Sequence, residues 1–110
     1  MFKSFIEENG KSLVFWMKDV MAESEINDLP ISERCKSLIA KSYRNDSFTN
    51  FTEDDCQYFL ADFVEPVAFG DIKLTKIDLM YRSIMDACQS LWDKLSLDSK
   101  SLIRKYASSN

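Results

Sequence analysis

The sequence contains no histidine. This absence excludes Ser–His and Cys–His nucleophilic pairs, imidazole general bases and the commonest metal ligand. The two glycines form no phosphate-cradling loop, and no GxxxxGK[ST] stretch occurs. We therefore expect a protein that is not an enzyme, with no catalytic residue, no cofactor and no metal site.

Turn-forming residues are also scarce, with two Gly and two Pro in 110 residues. A β-rich fold with many tight turns would need more of them. The hydrophobic fraction of 45% and the charged fraction of 29% are those of an ordinary globular protein, and the length suits one domain. The composition predicts an all-α fold, a compact single-domain bundle of five to seven helices spanning residues 1–110.

Long apolar runs and cysteine pairs are missing as well. Near the N-terminus the longest apolar run is the five residues LVFWM, too short for a signal-peptide core or a membrane span. Cys35, Cys56 and Cys88 are odd in number and contain no CxxC pair, which disfavours a disulfide framework and a zinc knuckle. We expect reduced thiols that act as small core residues, a cytoplasmic location and no membrane partner.

The first 22 residues carry apolar side chains that share one helical phase. These are Phe2, Phe5, Ile6, Leu13, Trp16, Met17 and Val20. The phase continues across Gly10, so the pattern predicts one long helix or two helices that meet there. Phe15 alone points to the opposite side. We expect it to be buried against a second neighbour, and the alternative is an exposed Phe15 at an interface.

Two helix starts share one capping signature. In FTEDDC, Thr52 is the predicted N-cap and Asp55 occupies the reciprocal position. In LTKIDL, Thr75 and Asp78 repeat this arrangement. A short polar side chain at such a position supplies a partner for the free N–H groups of the first helical turn.

Three further local predictions concern the start of the last helix, Pro30 and one loop. Asp98 is the predicted cap of the last helix, with Leu97 packing against Leu102. Pro30 is expected in the first turn of the helix that follows it. The loop around VEPVAFGDIK, residues 64–73, is the one place in this helical chain where a short strand could form.

The charges are unevenly distributed along the chain. Residues 1–44 carry equal numbers of acids and bases, and residues 73–110 carry an excess of bases. Residues 45–72 contain neither Lys nor Arg. Their seven acids are Asp46, Glu53, Asp54, Asp55, Asp62, Glu65 and Asp71.

Four residues fall on one outward arc of the helix that begins after Thr52: Asp54, Tyr58, Asp62 and Glu65. Crowded carboxylates repel one another, and a cationic partner relieves that cost. We predict a basic protein partner and the partner-binding residues Asp54, Asp55, Tyr58, Asp62, Glu65 and Asp71. The structural alternatives are a solvated helix face and, for Glu53 to Asp55, acids that complement a helix dipole.

Nucleic acid is not expected as a partner. Nucleic-acid binding draws its affinity from neutralised phosphates, whereas the formal net charge of this chain is −4. The basic residues near the end of the chain are Lys94, Lys100, Arg104 and Lys105. Bases in this position are typical of helix C-termini, where they complement the dipole.

In size, acidity and composition the chain is similar to the small acidic immunity proteins and antitoxins of bacteria. This resemblance implies an inhibitor that blocks the active site of a basic toxin domain, such as a nuclease. A monomer or a homodimer is expected, whichever function applies. The predicted acids would then take the place of substrate phosphates.

Two other functions are compatible with the sequence. The first is a helical regulatory or adaptor module, viral or phage in type, that binds a partner peptide through an apolar groove. It requires exposed apolar residues such as Phe15 or Phe69. The second is a carboxylate-based enzyme, which requires a deep pocket holding two acids with shifted pKa values.

Overall fold

The computed structural model describes residues 1–72 and 78–109, with the backbone alone given at 78–81 and 108–109. This part of the chain forms an all-α bundle without a β-strand, which confirms the predicted fold class. A 3-10 helix covers Glu23–Asp28 and a π-helical turn covers Leu60–Val64. The seven α-helices are α1 (Phe2–Asn9), α2 (Lys11–Val20), α3 (Glu33–Asn45), α4 (Glu53–Phe59), α5 (Glu65–Ala68), α6 (Asp78–Asp93) and α7 (Leu97–Ser109).

The N-terminal region forms two helices that meet at Gly10, as one of the two alternatives predicted. Gly10 is buried and its φ of −88° is open to any residue. A Cβ atom at this position would lie 2.7 Å from the Ile6 carbonyl oxygen and 2.7 Å from Cε2 of Phe48. Glycine is therefore needed here because of close packing between α1, α2 and the loop after α3.

Helix α3 begins at Glu33, and its cap is Ser32. The Ser32 Oγ accepts the Cys35 N–H at 3.2 Å. The prediction that Pro30 lies in the first helical turn was wrong, because Ser32 supplies the cap and Pro30 stays in the bend before it. The helix ends at Asn45, and the residue that caps it, Asp46, has a left-handed φ of 56°.

The predicted capping box of α4 is confirmed. Thr52 Oγ1 accepts the Asp55 N–H and Asp55 Oδ2 accepts the Thr52 N–H, both at 3.0 Å. The similar arrangement predicted for Thr75 and Asp78 lies outside the described residues and side chains.

The predicted start of α7 was wrong. Ser96 supplies the cap, since its Oγ accepts the Ser99 N–H at 3.1 Å, and Asp98 lies within the first turn. Leu97 is 81% exposed and Leu102 is exposed too, so they form no hydrophobic staple. Two good capping residues stand two positions apart, and the chain uses the earlier one.

Helices α4 and α5 are joined without a break by the π-helical turn. Here the Glu65 N–H donates to the Leu60 carbonyl, five residues earlier. Pro66 has no N–H, and in an α-helix its ring would clash with the carbonyl of Asp62. The wider turn relieves that clash. Residues 64–68, where a short strand could have formed, are therefore helical, residues 69–72 form a turn and a bend, and Lys73 lies outside the described residues.

The core lies between α1, α2, α4, the π-helical turn and α6. Four phenylalanine rings pack with centroid separations of 5.1 to 5.8 Å: Phe48, Phe51, Phe59 and Phe63. Cys35, Cys56 and Cys88 are free and buried, which confirms their prediction as core residues. Helix α4 packs against α3 and α7, whereas α5 packs against α6.

Candidate functional site

Arg34 is the centre of the predicted acidic face. Its Nη2 lies 2.7 Å from Oδ2 of Asp54 and 3.3 Å from Oδ1 of Asp55. Its guanidinium carbon lies 4.2 Å from the centroid of the Tyr58 ring. The hydrogen bond with Asp54 raises the pKa of Arg34 further above its usual value. Arg34 comes from the first turn of α3, so it fixes α3 against α4.

The side chain of Ser32 connects Tyr58 with Asp62. Its Oγ donates to Oδ2 of Asp62 at 3.0 Å and lies 2.5 Å from Oη of Tyr58. Because the serine has one proton and gives it to Asp62, Tyr58 is the donor in the shorter bond. Burial, and then the nearby Asp62, raises the pKa of Tyr58. Asp54, Asp55, Tyr58 and Asp62 thus form one connected cluster.

Glu65 and Asp71, the remaining predicted site residues, lie outside this cluster. Oε2 of Glu65 is 3.5 Å from Nε of Arg104 on α7. Asp71 is exposed in the turn after α5, where its N–H donates to the Pro66 carbonyl at 2.8 Å. Helix α7 also reaches the cluster, since Oη of Tyr106 donates to Oδ1 of Asp54 at 3.3 Å.

Most acids of residues 45–72 are paired with basic groups from other parts of the chain. Five of the seven acids of residues 45–72 form ion pairs: Asp46 with Lys18, Glu53 with the N-terminal ammonium, Asp54 and Asp55 with Arg34, and Glu65 with Arg104. These cations come from α1, α2, α3 and α7 or their ends. The concentration of negative charge therefore has an intramolecular explanation, which a count of charges along the sequence could not reveal.

The pKa values of Glu53 and Asp55 are both lower in the folded protein than those of ordinary side-chain carboxyl groups. Partial burial opposes the change, but hydrogen bonds from the Lys3 and Phe2 N–H groups and the N-terminal ammonium hold the pKa of Glu53 below its usual range. In Asp55, hydrogen bonds from Thr52 and Arg34 likewise outweigh burial and lower the pKa. This direction is typical of carboxylates that accept hydrogen bonds.

A second surface lies on α2. The expected burial of Phe15 was wrong, because its side chain is 63% exposed. Trp16, expected in the core stripe, is 37% exposed, and its ring lies 5.5 Å from that of Phe15 in an edge-on contact. The helix meets its neighbours through one face, formed by the buried Leu13, Val14 and Met17.

An open groove runs beside Phe15. Its volume is about 440 Å³, and its lining residues are Lys11, Val14, Phe15, Lys18, Asp19 and Asp46. Lys18 contacts Asp46 and lies 5.3 Å from the centroid of the Tyr43 ring, which fixes one end of the groove. We call this groove, with Phe15 and Trp16, the α2 surface.

Phe69 forms a smaller exposed apolar site at the end of α5. It is 57% exposed, and its ring lies 6.2 Å from that of Trp92. A shallow groove of about 210 Å³ adjoins it, lined by Ala68, Phe69, Gln89, Trp92 and Asp93. Both residues named for an apolar docking site, Phe15 and Phe69, are therefore exposed.

No group of three or more potential metal ligands occurs among the described residues. None of their helices is both long and apolar enough to cross a bilayer. The chain shows no significant similarity to a known protein family, a curated protein or a solved structure.

Proposed function

We propose that this protein is a non-enzymatic binding module that docks another protein on the α2 surface. The observation that carries the proposal is the exposure of Phe15 on a helix whose opposite face is buried. A phenylalanine left in water forgoes about 1.5–3 kcal/mol of burial. A partner that covers Phe15 and Trp16 would recover this free energy, and aromatic residues are enriched in the centres of interfaces.

The groove beside Phe15 suits an amphipathic helix or a similar peptide. Its apolar wall is formed by Phe15 and Val14, and charged residues of both signs surround it. An apolar centre with a polar rim is typical of helix-in-groove recognition. This proposal corresponds to a regulatory or adaptor module.

A second candidate is the inhibitor of a basic toxin domain, with the acidic face as its contact surface. It is supported by the net charge of −4 and by Asp62, which has a serine hydroxyl but no ion pair among the described residues. In this version the toxin's lysines and arginines would compete with Arg34 and Arg104 for their carboxylates. Such a contact would depend strongly on salt.

Affinity capture from the cells that express the protein distinguishes the two candidates. The experiment compares three variants. Phe15→Asp removes the apolar centre of the α2 surface, and the double variant Asp62→Lys/Glu65→Lys reverses the acidic face. Leu97→Asp is the matched control, because Leu97 is also apolar and exposed but lies on α7. We expect Phe15→Asp alone to lose a protein that the other two variants retain.

Salt provides the second measurement. A partner held on the α2 surface should stay bound when NaCl is raised to about 0.5 M, whereas contacts between exposed charges are screened beyond a few ångströms there. Loss of the captured protein in the charge-reversed variant and in salt, with retention by Phe15→Asp, would favour the toxin inhibitor. Equal loss in Leu97→Asp would exclude both surfaces as the specific contact.

A further inference from the structure

Helix α7 buries little apolar surface, and the ring of Tyr106 lies edge-on to that of Tyr58 with centroids 6.5 Å apart. Among its described side chains, residues 97–107, Ile103 is the only one fully buried, and Tyr106 is half-buried. The helix packs against α4 and the π-helical turn. Leu97 and Leu102 face solvent. Segments with few buried apolar contacts open at lower free energy than the core does.

One polar contact of α7 is an ion pair that salt weakens. Nε of Arg104 lies 3.5 Å from Oε2 of Glu65, and Oη of Tyr106 donates a hydrogen bond to Oδ1 of Asp54 at 3.3 Å. Oε2 of Glu65 is buried, but the side chain of Arg104 is largely exposed. Counterions therefore reach the guanidinium group and screen its attraction to Glu65.

Trp92 lies beneath this helix. Its side chain is 3% exposed. Nζ of Lys100 and the guanidinium carbon of Arg104 lie 5.9 Å and 5.6 Å from its ring centroid. These two cations, one helical turn apart on α7, cover the indole. Removal of α7 would therefore expose Trp92.

The connection between α6 and α7 provides a hinge. Leu95 is buried and its N–H donates to the Trp92 carbonyl at 3.0 Å, so the chain is anchored up to this residue. Ser96, the exposed cap of α7, is the next residue. Residues 96–98 are exposed, so a rotation about Ser96 moves no buried side chain in this stretch.

We propose that α7 is a strap that opens and closes as a unit about Ser96, and that rising ionic strength favours the open form. Opening uncovers Trp92 and releases the Asp54 and Glu65 carboxylates from Tyr106 and Arg104. This device is separate from docking on the α2 surface. It regulates how much of the acidic face is accessible.

The test uses the full chain carrying Trp16→Phe, which leaves Trp92 as its one tryptophan. Acrylamide, a neutral quencher, reports the exposure of Trp92. We expect its quenching constant to rise about twofold or more between about 0.05 M and 1 M NaCl, because screening favours the open strap. Amide hydrogen exchange in α7 should accelerate over the same range, while exchange in α3 and α6 stays unchanged.

Variants of α7 sharpen the test. Ile103→Ala removes the buried anchor, and exchange in α7 should accelerate at least roughly tenfold at low salt. Leu102→Ala, in the same helix but exposed, is the matched control and should leave exchange unchanged. Arg104→Gln removes one ion pair without touching the core, and it should reduce the salt dependence even if Ile103→Ala folds poorly.

Three results would overturn the proposal. The first is exchange in α7 at the same rate as in α6, which would make α7 part of the cooperative core. The second is quenching of Trp92 that does not respond to salt. The third is an Arg104→Gln variant with unaltered salt dependence. None of these measurements involves a partner, so they stand apart from the test of the α2 surface.

Discussion

Three consecutive acids at the start of α4 perform three different tasks. Glu53 accepts the Phe2 N–H at 2.7 Å, the Lys3 N–H at 2.9 Å and the N-terminal ammonium at 3.1 Å. Asp54 binds Arg34 and Asp55 closes the capping box. The general rule that acids favour the first helical turn predicts all three alike. The structure shows that each also fixes a different part of the chain.

Glu53→Gln should lower the free energy of unfolding by about 1 kcal/mol at neutral pH, since the amide keeps one acceptor but loses the charge. Glu53 has a lowered pKa in the folded protein. Its contribution is therefore present above the ordinary glutamate pKa and is lost as the pH falls through the folded value. Urea unfolding of both proteins at neutral and acidic pH should show two curves that converge in acid.

The control for this experiment is Glu33→Gln. Glu33 is also the first residue of a helix, but its one ion pair among the described residues is with Lys36 of the same helix. Its substitution should change stability by no more than about 0.5 kcal/mol. A gap between wild type and Glu53→Gln that persists unchanged in acid would contradict the proposed role of the carboxylate.

At the scale of elements, Gly10 decides where α1 ends and α2 begins. The sequence left open whether there is one helix or two, because a glycine inside a helix costs only about 1 kcal/mol. The deciding contacts come from Phe48, which lies 38 positions later in the sequence. No local pattern contains that information.

Gly10→Ala should destabilise the protein although alanine favours helices. The added Cβ meets both the Ile6 carbonyl oxygen and the Phe48 ring. Overpacking of this kind costs about 1–3 kcal/mol, against about 1 kcal/mol gained from helix propensity. A fall in melting temperature is expected, and Ser12→Ala at an exposed position of α2 should not produce one.

A double variant identifies the cause. Phe48→Leu shortens the ring that Gly10 faces, so Gly10→Ala should cost less in that background. Equal costs in the two backgrounds would show that the Phe48 contact is not responsible.

Local signals predicted some elements and not others. The capping box at Thr52 was correct because all of its partners lie within four residues. Asp98 was predicted as the cap of α7, but Ser96, which directly follows the buried Leu95, supplies it. The π-helical turn was not predicted, because residues 64–73 were interpreted as a loop, whereas a wider helical turn accommodates Pro66.

At the scale of the whole molecule, the sequence does not predict contacts between residues that lie far apart along the chain. The acids of residues 45–72 were recognised, but their cations lie 20 to 52 positions away. Phe15 was placed correctly opposite the core stripe, yet only the packed bundle shows that no neighbour covers it. The all-α fold was predictable because helical periodicity is a local pattern. The ion pairs of the acidic face and the exposure of Phe15 were not predictable, because both depend on how the helices pack.

The three thiols report on the stability of the whole bundle. Cys35, Cys56 and Cys88 are buried, and burial raises the pKa of each, in Cys56 to about 12. A thiol reacts as its thiolate. We therefore expect no reaction with a disulfide reagent at about pH 8 in the native protein, and reaction of all three after unfolding in urea.

The rate of this reaction in low urea should follow global unfolding, so mutations that destabilise the bundle should increase it in proportion. The three thiols should react together. Rapid labelling of one thiol in native buffer, before the others, would show that a part of the core opens independently.

The π-helical turn contains one residue more than an α-helix of the same rise, and this sets the phase between α4 and α5. Deleting a single residue from Leu60–Val64 would leave a regular α-helix whose two ends keep nearly the same relative orientation, because five residues of the wide turn and four of an α-helix both complete about one turn. In that helix the ring of Pro66 would meet the carbonyl group four residues before it. Homologues that lack one residue of this turn should therefore also lack the proline.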